Sequence, residues 1–120
     1  MERASIERTV REDLSARPGV TLEQPFGEGV DVWKVAGKMY ALMSAKDAPS
    51  VSLKADPHLS EILREQYAGI TAGYHLNKRH WNTVLIAADV PLDEILRLTA
   101  HAYDQTVAGL PKKTRTALGK

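Results

Sequence analysis

Cysteine is absent from all 120 residues, which excludes a disulfide framework, thiolate metal ligation, a thiol nucleophile and thiol redox chemistry. Aromatic side chains are scarce, at 6% with a single phenylalanine, so any place where they gather is informative. Long apolar runs are missing too. No stretch approaches the roughly 20 residues needed to span a bilayer, and Met1-Glu2-Arg3-Ala4-Ser5 lacks the apolar core of a secretory signal. The expectation is a cytoplasmic protein with no membrane partner.

Neither sign of charge dominates, since the formal net charge is +1. Its distribution is uneven. Lys112, Lys113, Arg115 and Lys120 share the last ten residues with no acid, which leaves about −3 on the rest of the chain. What remains is an ordinary globular composition, 43% hydrophobic and 26% charged, in a chain long enough to bury one core. The organisation expected is a single domain over residues 1–110 and a flexible basic tail over 111–120, because the tail has little to bury.

Apolar periodicity predicts helices around a run of strands. Ser5 is placed to cap a first helix carrying Ile6, Val10 and Leu14 on one face, with Pro18-Gly19 ending it. Between Pro25 and Ala55 the period changes to two: Val30, Val32 and Leu42 recur among polar neighbours, and Val51, Leu53 and Ala55 alternate with Ser52 and Lys54. Ala36-Gly37-Lys38 reads as a tight reversal that pairs Trp33-Lys34-Val35 with Met39-Tyr40-Ala41. Asp56-Pro57 opens a second helix with Leu59, Ile62, Leu63 and Tyr67 at helical spacing, stopped at Gly69. A loop or hairpin leads to a strand at Thr83–Ala87. A last helix starts near Pro91, with Asp93 and Glu94 in its dipole-favoured first turn and Leu92, Ile95, Leu96 and Tyr103 facing inward. The order α-β-β-β-β-α-β-α implies an α+β fold, a mostly antiparallel sheet with helices packed on one face.

Two aromatics, two imidazoles, two amides and two cations gather in Tyr74-His75-Leu76-Asn77-Lys78-Arg79-His80-Trp81-Asn82-Thr83-Val84. Such side chains cost free energy to bury unless their polar ends find partners, so the segment is either a buried polar anchor or a contact surface. As a surface, Lys78 and Arg79 would meet successive phosphates, Asn77 and Asn82 would address base edges or backbone, and Trp81 would offer a stacking face. Lys34, Lys38 and Lys54 from the strands would complete a basic face. As an anchor, Trp81 packs into the core, His75 and His80 bond loop carbonyls, and Asn82 ties the turn together. Tyr74, His75, His80 and Trp81 thus stand as ligand-contacting or structural residues.

Pro25-Phe26-Gly27, Trp33-Lys34-Val35, Gly37-Lys38-Met39-Tyr40-Ala41, Val51-Ser52-Leu53-Lys54-Ala55-Asp56-Pro57 and the segment 74–84 together resemble the MmcQ/YjbR family, in order and across most of residues 5–108. The resemblance implies a small frataxin-like fold, also described as a double wing, and through that shape DNA binding. Ala72 stands where the family commonly has proline and Ala102 where it commonly has serine.

Catalytic patterns are missing. His75 and His80 are close, but His58 and His101 are distant and the strong ligand spacings are absent, so no metal or cofactor is expected. Gly27-Glu28-Gly29 precedes strand-like sequence, whereas a phosphate-cradling loop needs a helix start. Iron chemistry would want an acidic ridge, and the first helix instead mixes Glu7, Glu12 and Asp13 with Arg8, Arg11 and Arg17. The expectation is a non-enzymatic monomer whose partner is DNA or another nucleic acid, bound through a basic face. The alternative is a module that binds another protein or a small ligand beside Tyr74, His75 and Trp81.

Overall fold

Ile6, Val10 and Leu14 recur every four residues, and they form the buried stripe of helix α1 (Arg3–Ala16). The computed structural model describes residues 2–44, 49–73 and 76–120. Helix α1 begins ahead of the expected cap: Glu2 holds the N-cap position with no side-chain bond, and Ser5 lies within the first turn, where its carbonyl accepts from Thr9 Oγ1 at 2.9 Å. Four strands follow, β1 (Val20–Glu23), β2 (Val30–Val35), β3 (Lys38–Ser44) and β4 (Ser50–Lys54). Then come α2 (Pro57–Gln66), β5 (Ile70–Ala72), β6 (Trp81–Leu85), α3 (Leu92–Ala108) and α4 (Lys112–Ala117).

The strands form one sheet in the order β1-β2-β3-β4-β6-β5, with every neighbouring pair antiparallel. Ala36 and Gly37 both take positive φ, 50° and 79°, which gives the β2–β3 hairpin the handedness that matches strand twist. β6 starts two residues earlier than the alternation suggests and slots between β4 and β5, pairing Leu53 with Asn82 and Ile70 with Val84. β5, three residues long, is the short strand that the sequence pattern does not resolve.

Register decides which side chains face the helices. Trp33, Ala41, Leu53 and Asn82 lie in one row across β2, β3, β4 and β6, and Met43, Val51, Val84 and Ile70 in the next. All are nearly or fully buried. A bulge at Trp33/Lys34 leaves Tyr40 as the extra residue of β3, and Tyr40 turns inward beside Ala41. Helix α3 packs across β2, β3 and β4 with Ile95, Leu98, Ala102 and Tyr103, α1 packs on α3 and β1, and α2 covers β5 and β6.

Polar ends of the buried aromatics fix the helices in place. Tyr40 donates to the Leu14 carbonyl at 2.5 Å, Tyr103 to the Pro18 carbonyl at 2.6 Å and Trp33 Nε1 to Ser15 Oγ at 2.9 Å. The Leu14 carbonyl is one of the last of α1 and has no partner inside the helix, so Tyr40 also caps α1, while Trp33 and Tyr103 hold a side chain of its last turn and the residue just beyond its end. The two tyrosine rings meet edge to face, 5.6 Å between centroids.

Asp56 caps α2 as its sequence indicates, accepting from the amides of His58 and Leu59 at 3.1 Å each, with Pro57 in the first turn. Residues 111–120 carry a helix that the sequence pattern does not indicate. α4 begins after Pro111 and closes with the Gly119 amide on the Thr116 carbonyl and the Lys120 amide on the Arg115 carbonyl. That paired C-terminal closure needs a left-handed residue, which Gly119 supplies at φ +80°. Leu118, partly buried against the core, is the apolar contact that the charged tail seemed to lack.

Candidate nucleic-acid interface

The antiparallel register collects particular strand ends. Val20 pairs with Val35, Val35 with Lys38 across the hairpin, and Lys54 with Trp81. Lys34, Lys38, Lys54 and the turn 77–80 therefore lie toward one end of the sheet. Glu23, which pairs with Val32, and Asp31 lie toward the other end, together with Asp89 and the first turn of α3 carrying Asp93 and Glu94. The acids of that second end are paired, Asp31 with Arg11 and Asp93 and Glu94 with Arg97, whereas Asp56 and Glu61 stand among the cations of the first.

Lys78 and Arg79 are exposed in the turn that leads into β6. Asn77 builds that turn: its side-chain oxygen accepts from the Arg79 amide at 2.9 Å and its carbonyl from the His80 amide at 3.1 Å. The turn is anchored by Arg64 of α2, a residue that the sequence pattern did not single out. Arg64 Nε donates to Asn82 Oδ1 at 2.7 Å, while Nη2 donates to the carbonyls of Lys78 and Trp81. Two turns of α2 and the Asn77–His80 turn enclose a cleft of about 370 Å³ lined by Pro57, His58, Glu61, Arg64, Lys78 and Arg79. Five of these six side chains are ionisable, and Glu61 supplies the one carboxylate.

Several expected site residues already make contacts within the fold. Asn82 is 3% exposed and faces the helices, because its partner across the sheet is the core residue Leu53. Its oxygen belongs to Arg64, and its Nδ2 is buried with no hydrogen-bond partner. Trp81 points to the opposite face beside Lys54 but is only 7% exposed, so it offers no stacking surface. Asn77 is committed to its turn. Lys34 meets Glu23 at 3.4 Å, and the Thr21 hydroxyl, with Lys34 behind it, holds the Glu23 carboxyl below its usual range. Lys34 is therefore already partnered. Tyr74 and His75 lie outside the described residues. His80, half buried, gives its carbonyl to the Ala55 amide at 2.8 Å, which ties the turn to the start of α2.

Lys38, Lys54, Lys78 and Arg79 are the cations of the expected set that form no ion pair among the described residues. Among the described residues, the ion pairs use Arg11, Arg17, Lys34 and Arg97, and none of these four takes part. The other notable hollow, about 630 Å³ at the opposite end, is lined mainly by Ala4, Pro49, Leu85, Ile86 and Ala87, with Glu2 and Arg3 at its edge. It holds little chemistry. Among the described residues no group of three or more His, Asp or Glu is arranged to hold a metal ion, and no helix is long and apolar enough to cross a membrane.

The sequence profile of the YjbR family matches residues 15–105. The chain belongs to the YjbR family. Escherichia coli O157:H7 YbdF is 32% identical over 114 residues, covering 94% of this chain and 93% of that protein. YjbR of Escherichia coli K12 is 37% identical over 86 residues, covering 71% and 73%. Both are described as uncharacterized. A crystal structure of a Deinococcus radiodurans protein with the DUF419 domain superposes with a TM-score of 0.86 at 34% identity, covering 93% of this chain and 86% of that one. A Pseudomonas syringae protein gives 0.70 at 25% identity, covering 88% and 99%. The YjbR match includes β1 through β6 and most of α3, and so contains the whole Asn77–Asn82 turn with Arg64. It stops short of α4.

Proposed function

We propose that this YjbR-family chain is a cytoplasmic nucleic-acid-associated protein that holds phosphates with Lys38, Lys54, Lys78 and Arg79. The supporting observation is the convergence of these four cations, unpaired among the described residues, toward one end of the sheet. A surface with one sign of charge attracts a polyanion, whatever its base sequence. The role is one of binding: base edges would be met only by the tips of Lys78 and Arg79, so sequence preference should be weak.

Salt dependence tests this reading. Each phosphate neutralised releases condensed counterions, so log affinity for duplex DNA falls with log salt at a slope of about −0.9 per contact. These four cations contribute about −3.6 to that slope if each meets one phosphate. Replacing Lys78 and Arg79 together by alanine should reduce the slope by about 2 and weaken binding to all duplexes alike, with the melting temperature unchanged because both side chains are exposed. A salt-independent response of the unaltered protein, or equal slopes for the double variant, would defeat the reading and favour a protein or small ligand as partner.

A further inference from the structure

Helix α4 is six residues long and buries none of its own side chains, far too short to persist alone in water. Its place is set from outside. Gly19, between α1 and β1, has φ +75°, and a Cβ there would overlap Cδ2 of Leu118. The same point lies within contact distance of Val35, the last residue of β2, so Leu118 seats in a notch at the basic end of the sheet. Lys120 Nζ stands 5.5 Å from the centre of the Tyr103 ring, a second tether from beyond the helix. Both tethers leave Lys112, Lys113 and Arg115 available: Lys112 and Lys113 are exposed, Arg115 is half buried, and among the described residues no carboxylate pairs with any of them.

From Gly19, which precedes β1 and against which Leu118 seats, to β6, into which the Asn77–His80 turn leads, the sheet advances by four strands. At about 4.8 Å per strand this is roughly 19 Å, the axial length of about six base pairs. We propose that α4 is a docked clamp, which sets Lys112, Lys113 and Arg115 in line with Lys38, Lys54, Lys78 and Arg79 as one edge that follows the backbone of a nucleic-acid duplex. The inference rests on the nucleic-acid reading of the basic end and adds to it a segment beyond the family match. A mobile arm with the same charges would bind through charge alone; the docked helix binds through charge at fixed spacing.

Two full-length variants test the clamp on a 20-base-pair duplex titrated across salt. K112A/K113A/R115A keeps Leu118 and should lower the magnitude of the salt slope by about 2 to 3, with unchanged melting. Leu118→Ser keeps every charge but empties the notch, and should weaken binding several-fold at fixed salt. If the unaltered protein shows a salt slope that Lys78→Ala/Arg79→Ala reduces but the triple variant does not, α4 is no part of the surface and only the clamp falls. If Leu118→Ser binds as the unaltered protein does while the triple variant is weakened, the charges act as a loose arm and docking is refuted. If the unaltered protein has no salt slope at all, both the clamp and the nucleic-acid reading fall.

Discussion

Replacing Arg64 by alanine is expected to destabilise the domain by about 2 to 4 kcal/mol. Asn82 is 3% exposed and already has an unpartnered Nδ2; without Arg64 its Oδ1 is orphaned as well. A buried polar group left without its partner costs roughly 1–3 kcal/mol, more when the lost bond is charge-assisted. The carbonyls of Lys78 and Trp81 lose the same donor, although the exposed Lys78 carbonyl can turn to water. For a domain of this size the change corresponds to a drop in melting temperature of roughly 10 °C. Arg64→Lys should recover less than half, because an ammonium cannot reach three acceptors in the planar fork of a guanidinium. Combining Arg64→Met with Asn82→Leu should be less damaging than Arg64→Ala alone, since both ends of the buried pair are then apolar. Urea unfolding measures all three. A loss below about 1 kcal/mol for Arg64→Ala would show that the turn is held by other contacts.

Alkaline pH should undo the core through Tyr40. Burial, the largest influence, pushes its phenol well above the ordinary value of 10.0, and Tyr103 shifts the same way for the same reason. The folded state therefore keeps a proton that the unfolded chain releases above about pH 10. Stability from this source is complete below pH 10 and is lost as pH rises toward the folded value, at about 1.4 kcal/mol per pH unit for Tyr40 alone. Tyr40→Phe removes that dependence but also removes the bond to the Leu14 carbonyl, at a cost of about 1 to 1.5 kcal/mol near neutrality. Plotted against pH, the stabilities of the two proteins should cross at about pH 11. Parallel curves up to pH 12 would show that the phenol reaches solvent before the chain unfolds.

The uneven legibility of this chain follows from how far apart the deciding residues lie. Helix α1, the Asp56-Pro57 start of α2 and the Ala36-Gly37 reversal depend on neighbours within one turn, and each is written in local spacing. Strand β1 is exposed at three of its four positions, so it leaves no alternating pattern to read. Asn82 and Trp81 are adjacent and polar at their tips, but which of them turns to the helices depends on Leu53 across the sheet. Nothing near Arg64 announces its partners, because they come from a turn two elements later. Leu118 is similar: in sequence it is one apolar residue in a charged run, and only the notch at Gly19 gives it somewhere to go. Lys38, Lys54, Lys78 and Arg79 were readable as cations; that they share one end of the sheet is a property of the register.

Lys38, Lys54, Lys78 and Arg79, with no ion-pair partner among the described residues, make one end of the strands the more positive. If the proposed polyanion is the partner, such a body would experience a torque as well as an attraction, and would arrive with Lys38 and the Asn77–His80 turn leading. Raising the ionic strength shortens the reach of that torque to about 10 Å at 0.1 M. Its effect should then be felt chiefly in how often an encounter is productive, and much less in how long the complex lasts once formed.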